Sequence, residues 1–91
     1  MERQIIKECK ESIERAPLEH LQHLYITYLD AENAHEIAWD LVFKDVYLHA
    51  CLKKKEPIMK WLEDDVFKNL DPLQQIALKP TFAYGRHLFR K

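Results

Sequence analysis

Glycine is nearly absent from this chain. The sequence has one glycine in 91 residues, together with one serine and two threonines. Tight turns between strands depend on glycine, asparagine, aspartate and serine, which reach backbone conformations that other residues resist. A chain so poor in these residues has few tight turns, and we therefore predict helices and few or no strands. The same scarcity excludes a glycine-rich phosphate-binding loop and leaves Ser12 as the only serine.

Cysteine and long apolar runs are also scarce. Cys9 and Cys51 allow at most one disulfide and are too few for the disulfide framework of a small secreted domain. No stretch approaches the roughly 20 apolar residues that cross a bilayer. Charges recur every few residues through the N-terminal segment, unlike the pattern of a signal peptide. We expect two reduced thiols in a cytoplasmic protein that has no membrane contact.

The overall charge indicates no class of partner, but its distribution is uneven. The 14 basic residues nearly balance the 15 acidic ones, which gives a net charge of -1. Residues 17–40 carry five acidic residues and no lysine or arginine, whereas residues 72–91 carry four basic residues and no acid. These segments either pack as neighbours within the monomer, meet across a symmetric interface, or leave the basic end free for an acidic partner.

Four prolines punctuate the chain, and the apolar periodicity between them predicts one domain, residues 1–91, built as an all-α bundle of four to five short helices. The predicted helices span residues 2–15, 17–30, 31–52, 57–69, and a last segment that begins at residue 72. Pro80 is predicted to break or kink this last helix. Residues 80–91, which include Gly85, then form a separate short helix or a frayed tail.

The third predicted helix is the longest and is expected to lie at the centre of the bundle. On a helical wheel it has two apolar arcs. One arc contains Ala34, Ile37, Ala38, Leu41 and Leu48, and the other contains Trp39, Phe43, Val46, Tyr47 and Ala50. A helix that is apolar on two sides is usually sandwiched between neighbours. The three lysines that follow it, residues 53–55, lie where the helix dipole favours positive charge.

Histidines and carboxylates gather in residues 20–40, which makes a metal site one alternative. His20 and His23 share a face of the second helix, and Glu32 and His35 form one Glu-x-x-His pair. Bundles that hold two iron or manganese ions need two such pairs and further glutamates. The segment that starts at His35 also lacks the second histidine of a zinc-protease motif, because Trp39 stands there. Ordinary surface histidines are the preferred interpretation, so no metal and no cofactor are predicted.

The C-terminal segment combines basic and aromatic residues. Phe82, Tyr84 and Phe89 interleave with Arg86 and Arg90. Aromatic rings stack on exposed bases and arginines contact phosphates, so binding of single-stranded nucleic acid is our second hypothesis. The preferred interpretation places the rings in the core and turns the basic residues towards the acidic segment, because this arrangement requires no further molecule.

The abundance of large apolar side chains predicts a protein–protein contact surface. A domain of this size cannot easily bury all of them, and exposed aromatic residues near arginine are typical of interfaces. Our first hypothesis is a non-enzymatic interaction module, such as an adaptor, an inhibitor or a regulatory subunit, with a homodimer as one form. The predicted contact residues are Trp39, Phe43, Tyr47, Phe82, Tyr84, Arg86 and Arg90. No catalytic residue is predicted, since Cys51 and the nearby His49 are two apart on a helix and point in different directions.

Overall fold

Five α-helices and the short turns between them make up most of the chain. The computed structural model describes residues 1–91, of which 84% are helical, and it contains no strand. The prediction of an all-α bundle is therefore confirmed. The helices are α1 Glu2–Arg15, α2 Leu18–Leu29, α3 Trp39–Leu52, α4 Glu56–Trp61 and α5 Pro72–Arg90.

The first two helices follow the apolar spacing and the first proline. α1 buries Ile5, Cys9 and Ile13, which lie one turn apart on one face, and it packs on α2 and α3. Ala16 ends the helix in an extended conformation (φ -130°, ψ 161°), because Pro17 disfavours helical backbone in the residue before it. Both helices have the predicted bounds to within one residue.

The third helix is central, but it is shorter than predicted. α3 begins at Trp39 instead of residue 31, and Ala34–Glu36 form a separate 3-10 turn. Two hydrogen bonds hold the loop before α3: Glu2 Oε1 accepts from the Ala38 amide at 2.9 Å, and Trp39 Nε1 donates to the Ala34 carbonyl at 3.0 Å. The Ala38 N–H and the Ala34 carbonyl thus have side-chain partners in place of the backbone partners that a longer helix would have given them. α3 packs against α1, α4 and α5, so its central position is as predicted, whereas α5, with 19 residues, is the longest helix.

The segment after α3 is a continuous helical piece with changing pitch. α4 passes into a π-helical turn, Leu62–Val66, and then into a 3-10 turn, Phe67–Asn69. Pro57 lies in the first turn of α4, where its missing N–H has no intrahelical partner to lose. The π turn buries Leu62 and Val66 in the core. The predicted helix over residues 57–69 is thus present, but only its first part is α-helical.

One cluster of 18 buried apolar residues forms the core, and all five helices contribute to it. The aromatic part of this core lies between α3, α5 and the 3-10 turn Phe67–Asn69. The Phe82 ring meets Tyr47 and Phe67 edge-on, with centroids 5.1 Å and 4.8 Å away, and Phe43 stacks on Tyr47 at 5.7 Å. Such pairs add about 0.5–1.5 kcal/mol each beyond the burial of area. None of the helices is both long enough and apolar enough to span a membrane.

α5 starts with a well-formed cap. The Leu73 amide donates to Asp71 Oδ1 at 2.9 Å, and the Asp71 amide donates to Gln74 Oε1 at 3.3 Å, which together form a capping box. Pro72 occupies the first turn, as predicted. This cap fixes where the chain turns from the 3-10 segment into the last helix.

α5 continues through Pro80 to Arg90, so Pro80 does not break the helix, and residues 80–91 are neither a separate helix nor a frayed tail. Pro80 lacks the N–H that would bond the Ile76 carbonyl. Both residues are exposed, and water can therefore bond that carbonyl. On the opposite face Leu78 and Thr81 are buried on either side of the proline. Tertiary packing holds the helix together at a position where its local sequence would weaken it.

Gly85 brings the backbone of α5 directly against side chains of α3. A Cβ atom built on Gly85 would lie 2.5 Å from Tyr47 Cε2 and 2.9 Å from Cys51 Sγ, distances that real side chains do not reach. The glycine is buried, and the end of the helix that we expected to fray is packed against α3 through it. The only glycine of the chain is therefore needed for space rather than for a turn.

α3 ends in a Schellman motif that is built on a lysine. The Lys55 amide donates to the Ala50 carbonyl at 3.0 Å, the Lys54 amide donates to the Cys51 carbonyl at 3.1 Å, and Lys54 has a left-handed φ of 58°. Lys54 Nζ also donates to the Phe89 carbonyl at 2.6 Å, in the last turn of α5. One residue therefore closes the C-terminal ends of both α3 and α5.

Gly85→Ala is expected to lower the free energy of unfolding by about 1–3 kcal/mol, because the added methyl overlaps Tyr47 and Cys51. Urea unfolding followed by circular dichroism measures the change. Ala83→Gly, at an exposed position of the same helix, is the matched control and is expected to cost about 1 kcal/mol from helix propensity alone. A Gly85→Ala variant more stable than the wild type would contradict the close approach.

Lys54→Gly is expected to be about 1 kcal/mol more stable than Lys54→Ala, because glycine adopts the left-handed conformation without a Cβ clash. Comparing the two variants with each other cancels the loss of the lysine amino group. The same pair at Lys55, where φ is -92°, is the control, and there glycine is expected to bring no gain. Equal stability of the two Lys54 variants in urea unfolding would argue against the left-handed cap.

Candidate functional site

Three of the predicted contact residues lie in the core of the monomer. Phe43 and Tyr47 are fully buried, and Trp39 is 9% exposed. The second apolar arc of α3 was expected to lie on an exposed patch, and this expectation is wrong. α5 covers Phe43 and Tyr47, because Gly85 lets the two helices come close enough for Phe82 to reach these rings, whereas Trp39 packs against Tyr25 of α2.

The four predicted contact residues on α5 divide between its two sides. Phe82 is half-buried in the aromatic cluster, whereas Tyr84, Arg86 and Arg90 are exposed. Arg86 is held in place, since its Nη2 lies 3.1 Å from Glu63 Oε1. The same carboxylate oxygen accepts a hydrogen bond from the Tyr47 hydroxyl at 3.2 Å. Of these four side chains, Tyr84 and Arg90 remain available to a partner.

The acidic and basic segments do not neutralise one another within the monomer. α5 packs on α3 and makes no extensive contact with α2. None of the five acids in residues 17–40 belongs to an ion pair, and Arg86, the one paired base of residues 72–91, binds Glu63, outside that acidic segment. The interpretation that placed these segments together in one chain is therefore wrong. Both leave charge at the surface.

The histidines considered as metal ligands do not come together. No group of three histidine, cysteine or carboxylate side chains is placed to hold a metal ion. His20 Nδ1 lies 2.7 Å from the buried hydroxyl of Ser12 and so ties α2 to α1, while His23 and His35 are exposed elsewhere. The metal site considered as an alternative, from His20, His23, Glu32 and His35, does not form, because residues 31–38 form a loop and a 3-10 turn instead of the first turns of a helix.

Both thiols are buried among apolar neighbours. Burial raises the pKa of the Cys9 thiol to about 12 and also raises the pKa of Cys51. The thiolate is the reactive form of cysteine. At neutral pH these thiols are protonated, and they act as core side chains.

The outer face of α5 carries a row of exposed apolar side chains. Leu73, Ile76, Pro80 and Tyr84 follow one another at intervals of three and four residues, which places them on one face of the helix. Leu73 is 76% exposed, Ile76 61% and Tyr84 56%. The buried side chains of α5, Leu78, Thr81 and Gly85, lie on the opposite face. We call the exposed row, residues 73, 76, 80 and 84, the α5 stripe.

An apolar groove lies between α2 and the helical segment after α3. Its volume is about 280 Å³, and it is lined by Tyr25, Ile26, Leu29, Trp39, Trp61, Asp65, Val66, Asn69 and Leu70. The Tyr25 ring packs against both tryptophans, with centroids 5.3 Å from Trp39 and 5.8 Å from Trp61. Ile26 and Leu29 are half exposed at its edge. We call this the α2–α4 groove.

The α5 stripe and most of the α2–α4 groove were not identified from the sequence. Treating Pro80 as a break divides the stripe into two short pieces, and neither piece then looks like a helix face. A signal was present in the spacing, since residues 73, 76, 80 and 84 keep a helical period across the proline. The groove has no such signal, because its lining comes from four separate stretches of chain. Trp39 is the one predicted contact residue that lines it.

Comparison of the chain with protein-family models, with curated proteins and with solved structures found no match.

Phe43→Ala and Tyr84→Ala separate the buried from the exposed members of the predicted contact set. Phe43→Ala is expected to cost about 3–5 kcal/mol, a large part of the stability of a small domain. Tyr84→Ala is expected to change stability by no more than about 0.5 kcal/mol. Thermal melts followed by circular dichroism measure both. If Phe43→Ala melts like the wild type, the ring is not a core residue.

Proposed function

We propose that this protein is a non-enzymatic protein–protein interaction module, in the manner of an adaptor, an inhibitor or a regulatory subunit. Its contact surface consists of the α5 stripe and the α2–α4 groove. Of the contact residues predicted from the sequence, Tyr84 belongs to the stripe and Trp39 lines the groove. Phe43, Tyr47 and Phe82 pack on one another in the core and are not part of this surface.

The observation that carries this proposal is a helix that is apolar on two opposite faces while only one of them is covered. Leu73 and Ile76 expose more of their side chains than almost any other large apolar residue of the chain. A helix that is apolar on both sides is normally sandwiched between neighbours. Contiguous apolar surface next to aromatic and basic residues is typical of protein–protein contacts. The uncovered face of α5 therefore fits a surface that a partner covers.

The nucleic-acid alternative has less support. Stacking on bases requires exposed rings, and Phe82 and Phe89 both pack against the core. Arg86 is paired with Glu63, and Lys54 Nζ is bonded to the Phe89 carbonyl, so two cations near this segment are already engaged. Tyr84 alone offers an open ring there.

Ile76→Glu is expected to abolish capture of binding partners without loss of fold, because a charge on the α5 stripe opposes burial of that face. The measurement is affinity capture from the cells that produce the protein, with quantitative mass spectrometry, beside a melting curve for each variant. Leu41→Glu is the matched control. Leu41 is likewise an exposed aliphatic residue, but it lies in the first turn of α3, where the helix dipole favours an acid.

Proteins captured by the wild type and by Leu41→Glu, but not by Ile76→Glu, would support the proposed surface. Equal capture by all three chains would contradict it. A further copy of the same chain counts as a captured partner, and a differently tagged version of the protein detects it.

A further inference from the structure

We propose that the partner of this surface is a second copy of the chain, with the α5 stripe of each copy lying in the α2–α4 groove of the other. This inference rests on the proposed function and names its partner. Each copy carries both halves of the interface, an apolar groove and an apolar helix face.

The chemistry of the groove suits a helix that carries positive charge. The lining of the groove is apolar except for Asp65 and Asn69, and no lysine or arginine takes part in it. Asp30 directly follows Leu29 at the α2 edge. Neither Asp30 nor Asp65 is in an ion pair. The groove therefore has an apolar lining with one carboxylate, Asp65, that has no ion-pair partner, and a second unpaired acid, Asp30, follows a lining residue in the sequence.

The α5 stripe has the complementary chemistry. Lys79 lies one turn after Ile76, and Arg90 lies near the end of the same helix, with no acid anywhere in residues 72–91. Lys79 and Arg90 make no ion pair within the chain. Apolar anchors at helical spacing are how an amphipathic helix binds a groove. Leu73, Ile76 and Tyr84 provide such anchors over about 17 Å of helix.

The chain cannot bring these two surfaces together by itself. The inner face of α5 is fixed on α3 through Gly85, so the stripe points away from its own core. α5 makes no extensive contact with α2, which forms one edge of the groove. The unpaired bases of residues 72–91 and the unpaired acids of residues 17–40 are therefore available only to another molecule. A second copy supplies both at once.

The order of the two surfaces along the chain favours a closed dimer. Leu70 lines the groove, and Leu73, three residues later, begins the stripe. When two complementary surfaces adjoin in one subunit, a two-fold axis near their junction pairs each with its counterpart in the other subunit. The contact is then made twice, and no surface is left open for further copies.

Exchange of charges tests this arrangement. In a dimer of the Lys79→Glu variant, the glutamate beside each α5 stripe faces Asp65 in the groove of the other copy, so both sides of the contact are acidic. In a dimer of the Asp65→Lys variant, Lys79 faces the new lysine, so both sides are basic. Each variant alone is expected to dimerise several-fold to about tenfold more weakly than the wild type. An equimolar mixture of the two is expected to recover the wild-type affinity, because each contact then pairs an acid with a base. Sedimentation velocity at low and high salt measures the dimer fraction, and Leu41→Glu is the control that leaves both surfaces intact.

A wild-type dimer that Ile76→Glu dissociates, and a mixture that associates better than either charge variant, would establish the inference. A wild-type chain that is monomeric at millimolar concentration would overturn it. A dimer that is indifferent to Ile76→Glu and to both charge changes would also overturn it. If the monomer still captures another protein through Ile76, the proposed function stands and only the identity of the partner is wrong. If neither self-association nor capture depends on Ile76, both proposals fail.

Discussion

The crossing of α5 over α3 at Gly85 is the contact on which the rest of the structure depends. Here a backbone without a side chain lies directly on Tyr47 and Cys51. The resulting short distance lets Phe82 enter the aromatic cluster and lets Arg86 reach Glu63. A wider separation would leave these contacts unmade, since van der Waals attraction falls steeply when a gap opens between packed surfaces. In a domain with a small core, few other contacts replace them.

The same crossing determines what the protein presents to its surroundings. A helix that is fixed along one face must expose the opposite face, and in α5 that face is apolar instead of charged. Leu73 and Ile76 stay exposed in the folded chain, because turning α5 to bury them would remove Leu78 and Thr81 from the core. The molecule therefore keeps an uncovered apolar surface as a direct consequence of its stable packing.

The sequence was sufficient to predict elements whose signals are local. α1 and α2 follow from apolar spacing and from Pro17, and the start of α5 follows from Asp71 and Pro72. The errors come from distant contacts. The start of α3 is displaced because Glu2, far away in sequence, accepts the Ala38 amide. Pro80 does not end α5 because the helix is packed through buried residues before and after it, Leu78 and Thr81.

The candidate site was predicted less well than the fold, for the same reason. Whether an apolar ring is buried or exposed depends on what covers it, and composition gave no information on which arc of α3 would receive α5. Phe43 and Tyr47 were assigned to the surface on the argument that a domain of this size cannot bury all of its large apolar side chains. The large apolar side chains left exposed are mainly aliphatic, and Leu73 and Ile76 on α5 are among the most exposed of them. The amino-acid composition predicts that some apolar surface is exposed, but only the packing of the folded chain identifies which residues form it.

The cap at Lys54 couples the ends of two helices. Its left-handed backbone closes α3, and its amino group holds the Phe89 carbonyl of α5. Local opening of native proteins proceeds in groups of residues that lose their structure together. We expect the final turns of α3 and α5 to form such a group, because freeing the lysine backbone also withdraws the amino group from α5. Amide hydrogens in these two turns are then expected to exchange with solvent through one shared opening, although more than thirty residues of sequence separate them.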